Sequence, residues 1–153
     1  MKYDISALGN ALVDTQYMVD HDFLDEIGLE ADSMTLASAE EHSPIIDKLQ
    51  SMGVESVSDC GGSATNSLVA ASYYGSKCHH VCRVANDEDG KKYLESLQKA
   101  GVQHIGYSKE DSEMPTGKCL IFVTPDAKRT MSSMLGISAY LGSKDINYDA
   151  INN

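Results

Sequence analysis

Residues 60–75 read CGGSATNSLVAASYYG. Gly61 and Gly62 close an extended stretch, residues 54–60, and open a segment with small residues at Ala64, Ser67 and Ala71 and a stop at Gly75. This is the pattern of a strand, a tight glycine turn and a helix that can lie close on a sheet. Glycine lets the backbone approach a ligand with no Cβ in the way. The free N–H groups and dipole of a helix N-terminus attract oxygen-bearing ligands. Asn66, about one turn in, can donate and accept hydrogen bonds together, which suits a polyol. The spacing is met equally by a plain strand-to-helix turn with Asn66 on the surface. It is not the dinucleotide fingerprint, which needs a third glycine at fixed spacing.

Working outward, residues 3–8 alternate and end at Gly9-Asn10, a first strand and its turn. Residues 12–19 read as a second extended stretch, 21–27 as a short helix closed by Gly28, and 33–36 as a brief strand. Ser38 and Glu41 form a capping box for a helix carrying Ile45, Ile46, Leu49 and Met52. Pro44 either kinks that helix or is its first residue after a start at Ser43. Residues 77–85 read as a strand, and Asn86 and Asp87 cap a helix carrying Tyr93, Leu94 and Leu97. Residues 102–105 begin another strand. Strand and helix thus alternate, which predicts an α/β fold with a largely parallel sheet. The rhythm then changes to a hairpin, residues 117–124 and 129–135 around Pro125-Asp126. Residues 143–153 look like the start of a further helix with no strand after it, so the chain is expected to end in mid-fold.

With 153 residues the chain is the size of one domain. Hydrophobic residues make up 42% and charged residues 23%, an ordinary globular balance. Twelve Lys plus Arg against 23 Asp plus Glu give −11, which argues against nucleic acid or an anionic membrane as partner. No apolar run approaches the ~20 residues of a membrane span. Four cysteines without a secretory signal point to reduced thiols and a cytoplasmic protein.

Three other motifs bear on chemistry. In GNALVD, Asn10 and Asp14 follow the first strand, where open α/β sheets present ligands. A carboxylate there can accept from two adjacent hydroxyls, or Asp14 is an exposed acid beside an ordinary turn. In CHHVC, Cys78, His80 and Cys82 share one strand face. Ligands spread along a strand make a poor metal site, so buried structural thiols are expected and no metal. In PDAKR, Arg129 is a surface residue unless its hairpin folds over a phosphate.

GNALVD, GGSATNSLVAASYYG, RVANDEDG and TGKCLIFVTPDAKRTM occur in that order. Together they resemble the N-terminal part of the PfkB (ribokinase-like) carbohydrate kinases, and the adenosine-kinase-like branch most. The resemblance covers about residues 3–151. It implies a Rossmann-like α/β core with helices on both faces, over about 3–9 and 38–106, and a small β-sheet lid from about 12–20, 33–36 and 117–135. It implies that Asp14 and Asn10 bind sugar hydroxyls, that Gly61, Gly62 and Asn66 hold the sugar, and that Arg129 approaches the transferring phosphate. Leu12, Leu36, Met131 and Leu135 become candidates for an apolar wall, or are plain core.

The implied reaction passes the γ-phosphoryl group of ATP, with Mg²⁺, to a hydroxyl of a small sugar or nucleoside. The family's glycine-rich GAGD-type segment, which carries the catalytic base, has no counterpart here. The chain is therefore expected to be a truncated, acceptor-binding portion. Alone it should be inactive and bind neither ATP nor Mg²⁺ tightly. It should associate with a C-terminal half, or as a homodimer through the lid or a sheet edge. The rival readings are a non-catalytic sugar- or nucleoside-binding module and a truncated product with no role of its own.

Overall fold

A computed structural model describes residues 2–108, 113–148 and 151. In chain order the elements are β1 (Ile5–Leu8), β2 (Leu12–Met18), α1 (His21–Glu26), β3 (Met34–Leu36), α2 (Ala39–Ser51), β4 (Ser56–Gly61) and α3 (Ser63–Tyr73). Then follow β5 (Cys78–Val81), α4 (Glu88–Lys99), β6 (Gln103–His104), β7 (Gly117–Val123) and β8 (Arg129–Met134). Two 3₁₀ turns follow, Gly136–Tyr140 and Ser143–Asp145, and beyond them Tyr148 and Ile151 are helical. The residues form two compact units. One is Met1–Val13, Asp59–Gly117 and Leu135–Asn153; the other is Asp14–Ser58 and Lys118–Met134.

The first unit contains a parallel sheet in the order β1-β5-β6, with Ala7 opposite His80 and His80 opposite His104. Its core joins Leu68 and Thr65's neighbours on α3 to Tyr93, Leu94 and Leu97 on α4 and to Cys78, Cys82 and Val84. The expected thiols are buried, at 0% and 1% exposure for Cys78 and Cys82, and burial pushes the Cys82 thiol up to about 12. Asp87 caps α4 by accepting from Gly90 N–H at 2.7 Å, and it also accepts from Thr116 N–H and Oγ1. An ion pair in this unit joins the buried Arg83 to Asp145: Arg83 Nε donates to both carboxylate oxygens at 2.9 Å. Burial alone would raise the Asp145 carboxyl, but hydrogen bonds from Arg83 and Gly142 outweigh it and hold it below its ordinary value.

The second unit is built on a five-stranded sheet in the order β3-β8-β7-β2-β4, with β3 parallel and β7 antiparallel to β8. Side chains alternate along a strand. Leu120 and Phe122 of β7 therefore bury together against Phe23, Leu24 and Leu49 of α1 and α2. Burying Phe122 contributes about 2–3 kcal/mol. On β8, Thr130 and Ser132 pair with Phe122 and Leu120 and share that face. Their buried hydroxyls are partnered: Thr130 Oγ1 accepts from Asp32 N–H at 3.0 Å, and Ser132 Oγ meets His42 Nε2 at 3.0 Å.

The α/β class holds, and the structure corrects three details. Residues 38–58 were expected in the α/β core, but α2 and Ser56–Ser58 belong to the second unit because Leu49 and its neighbours bury against Leu120 and Phe122. The strand at residues 54–60 accordingly sits at the edge of the mixed sheet and not in the parallel one. The segment expected to start a helix at residue 143 opens with a 3₁₀ turn, and Tyr148 and Ile151 after it are helical, while residues 149, 150, 152 and 153 lie outside the described set. For α2, the capping box starts the helix at Ala39, with Pro44 inside it, so the start at Ser43 does not occur.

Four histidines, His42, His79, His80 and His104, have pKa values below the ordinary value, each through burial first. His80, with 0% exposure, falls to about 4. A lowered histidine pKa means that the unfolded chain takes up protons first as pH falls. Stability should therefore be full above pH ~6.5 and drain away between there and pH ~4, by about 3 kcal/mol from His80 alone. Urea midpoints measured at pH 7.0 and 4.5 test this, and equal midpoints would contradict it.

Candidate functional site

In the first unit, β1 ends at Leu8 and the chain turns through Gly9 and Asn10. Gly9 N–H donates to Val81 O at 3.2 Å, holding the turn on the parallel sheet. A Cβ added to Gly9 would lie 2.6 Å from Ala64 Cβ, so the turn presses directly on the first turn of α3. Gly62, which opens α3, has φ 98 and ψ 139, backbone that L residues rarely adopt. A Cβ there would lie 2.4 Å from the Asn10 carbonyl oxygen. Gly62 is thus required twice, by its dihedrals and by its neighbour.

The other three helices are each capped by a side chain: Asp20 on α1, Ser38 on α2 and Asp87 on α4. α3 has none. Its first intrahelical bond runs from Asn66 N–H to Gly62 O at 2.9 Å, which leaves the earlier N–H groups of the helix without an intrahelical acceptor. Asn10 and Asn66 are both exposed and Gly61 is buried. The structure therefore brings four of the expected residues, Asn10, Gly61, Gly62 and Asn66, to one corner of the first unit. That corner offers backbone N–H donors and two amides to a ligand that both donates and accepts.

The remaining expected residues divide. Leu12 and Leu135 meet around Gly117, where an added Cβ would lie 2.6 Å from Leu12 Cδ2 and 2.7 Å from Leu135 O. In the second unit, Met131 stands opposite Ile121 and Arg129 opposite Val123, on the sheet face that also carries Cys119 and Ser133. Leu36 is registered to Ser133 and is 68% exposed, so Leu36 and Met131 share that face. Asp14, of intermediate burial, and the exposed Arg129 act on the same thiol. Burial raises the Cys119 pKa, Ser133's hydrogen bond lowers it, Asp14 raises it and Arg129 lowers it. Of the four residues expected in an apolar wall, Leu12 and Leu135 belong to the first unit and Leu36 and Met131 to the second.

Sequence reasoning missed a buried polar chain under this corner. Thr65 Oγ1 meets Tyr93 OH at 2.6 Å, and Tyr93 OH meets His80 Nδ1 at 3.5 Å. Thr65 reads as one more small residue of α3 and Tyr93 as a core aromatic, so nothing in the pattern paired them. The Arg83–Asp145 pair was missed for the same reason, a separation of 62 residues. Among the described residues no three His, Cys, Asp or Glu side chains are grouped to hold a metal ion, and no helix is long and apolar enough to cross a membrane.

The model of the pfkB family carbohydrate kinases matches residues 33–153. Adenosine kinase 1 of Arabidopsis thaliana is 28% identical over 137 residues, covering 87% of this chain and 38% of its own. The structure of an adenosine kinase from Sinorhizobium meliloti superposes with a TM-score of 0.82 at 30% identity, over 99% of this chain and 45% of that one. A probable sugar kinase from Rhizobium etli CFN 42 superposes with a TM-score of 0.86 at 27% identity, over 98% and 44%. The chain spans less than half the length of these relatives.

The double requirement at Gly62 sets a graded expectation. Gly62→Ala should cost about 3 kcal/mol or more, from strained dihedrals and the Asn10 contact together. Gly28→Ala, at φ +71 with nothing within 4 Å of the added carbon, should cost only about 1 kcal/mol. Denaturant unfolding of the two variants compares them, and equal losses would remove the special place given to Gly62.

Proposed function

We propose, from the premise that this chain belongs to the pfkB family of carbohydrate kinases, that the polypeptide carrying it phosphorylates a hydroxyl of a sugar or nucleoside with ATP. The observation that carries the reading is the uncapped start of α3, entered through Gly62 and flanked by the amides of Asn10 and Asn66. In this reading the N–H groups of the first turn and Asn66 hold acceptor hydroxyls, and Asn10 contributes from the turn after β1. Asp14 accepts hydrogen bonds from two hydroxyls, and Arg129 meets the phosphate. Phosphoryl transfer rests chiefly on positioning and charge stabilisation, so such groups are the greater part of what a protein supplies.

Mg²⁺ takes one or two carboxylates besides the substrate phosphates, and no step is assigned to it here. ATP and Mg²⁺ belong to the reaction of the longer polypeptide. This chain contains no GxGD string to supply a base for the acceptor hydroxyl, and by itself we expect it to hold an acceptor and not to phosphorylate it. ATP-dependent phosphorylation of adenosine or ribose by these 153 residues alone would refute that part.

The reading also bears on partners. β1 is the outer strand of its sheet, and its Ile5 and Leu8 are 41% and 50% exposed. An open strand edge beside apolar side chains favours pairing with another strand. The chain should therefore associate, with the remainder of a full-length kinase or with a second copy. A stable monomer in sedimentation equilibrium at micromolar concentration would argue against this.

The central test is kinetic. In the full-length protein, Asn66→Ala should raise KM for the acceptor roughly ten- to hundredfold, the loss of a buried hydrogen bond to substrate, and leave KM for ATP nearly unchanged. Equal rises in both would show that Asn66 does not hold the acceptor. Calorimetric affinity for a nucleoside or sugar with no turnover in the full-length protein would instead mark a binding module.

A further inference from the structure

Beneath the start of α3 lies the buried chain of Thr65, Tyr93 and His80, all at 0% exposure. Thr65 Oγ1 lies 2.6 Å from Tyr93 OH and 3.4 Å from the position a Cβ would take on Gly62. The hydroxyl of Thr65 is thus packed under the strained glycine. At the other end, Tyr93 OH reaches His80 Nδ1 at 3.5 Å, and His80 Nε2 lies 3.9 Å from the position of a Cβ on Gly9. Nε2 is buried with no hydrogen-bond partner. The chain therefore lies directly under Gly62 at the start of α3, and its His80 end lies near Gly9 with no hydrogen bond to it.

A phenol has one proton to donate. If Tyr93 donates to His80, Thr65 must donate to Tyr93; if His80 donates to Tyr93, the Thr65–Tyr93 bond can run in either direction. Either order makes Tyr93 the link without which two buried polar groups lose a partner. Such a loss costs the desolvation of each orphaned group, which is larger than the net value of an ordinary hydrogen bond. The cheapest relaxation is local, since Thr65 stands in the first turn of α3, where the backbone N–H groups have no side-chain cap to hold them.

We propose that Tyr93 is a positioning residue for the acceptor site: acting through Thr65, it holds in binding geometry the first turn of α3, on which the Gly9-Asn10 turn packs. The proposal rests on the kinase reading for its ligand, but not for its geometry. Tyr93 touches no acceptor, because it is wholly buried on α4. Its effect is on where Gly62, Asn66 and Asn10 stand.

The test uses isosteric variants of the full-length protein. Tyr93→Phe and Thr65→Val each remove one hydroxyl and keep the shape. Each should raise KM for the acceptor about tenfold, the order expected for one buried polar group left unpaired, with KM for ATP unchanged. Thr65→Ser keeps the hydroxyl and should restore the parent value. The double variant should be little worse than either single one, since both cut the same chain. A role in stability alone would lower the amount of active protein, and so apparent kcat, and leave the KM of the surviving molecules where it was.

Hydrogen exchange without ligand gives a second arm. The amide of Asn66, bonded to Gly62 O, should exchange about tenfold faster in Tyr93→Phe, while those of Cys78–Val81 keep their protection. If the parent turns over no sugar or nucleoside, the kinase reading fails and the exchange arm alone decides this proposal. Unchanged acceptor KM, or unchanged exchange at the Asn66 amide, would overturn it.

Discussion

The contact between Gly62 and the Asn10 carbonyl is the constraint on which the candidate site depends. No side chain fits there, since a Cβ would sit 2.4 Å from the oxygen, and few residues could adopt φ 98 with ψ 139 in any case. Because the two backbones touch, the turn after β1 and the start of α3 cannot be placed independently. Gly9 repeats the device one residue earlier, against Ala64 Cβ. The result is a helix that begins at the turn following a parallel strand and has no side chain over its first N–H groups. Open α/β sheets bind ligands at such carboxyl ends of strands. The family match and the superposition on sugar and adenosine kinases agree with that local physics.

The second unit solves a different problem, a sheet with two unlike faces. One face buries Leu120 and Phe122 against α1 and α2, and even its polar members, Thr130 and Ser132, are hydrogen-bonded. The opposite face carries Arg129, Met131, Cys119 and the exposed Leu36. Period-two alternation produces this split without further instruction. Asp14 and Arg129 bias the Cys119 thiol in opposite directions, so a carboxylate and a guanidinium act around one point of a chain whose net charge is −11. Local charge, not the total, decides what such a face can meet.

Elements governed by neighbours a few residues away were legible in the sequence. Ser38 and Glu41 announce α2, Asp87 announces α4, and the 117–135 hairpin follows from two alternating stretches around Pro125-Asp126. The glycine turn and the amides at Asn10 and Asn66 were equally visible, because they are local motifs. The assignment of α2 and β4 was not. An amphipathic helix shows that one face is buried, and the identity of its partner, here Leu120 and Phe122, lies some seventy residues on.

By itself the sequence determined the α/β class, the bounds of most elements, and the turn where backbone is exposed. These depend on periodicity, caps and glycines, which act over a few residues. Only the tertiary structure decided that β4 leaves the parallel sheet, that Arg83 is paired with Asp145, and that Tyr93 links Thr65 to His80 beneath the site. Those are contacts between residues 13 to 62 positions apart. Their existence depends on how buried surfaces meet and how each enclosed polar group finds a partner, and no local pattern encodes that choice.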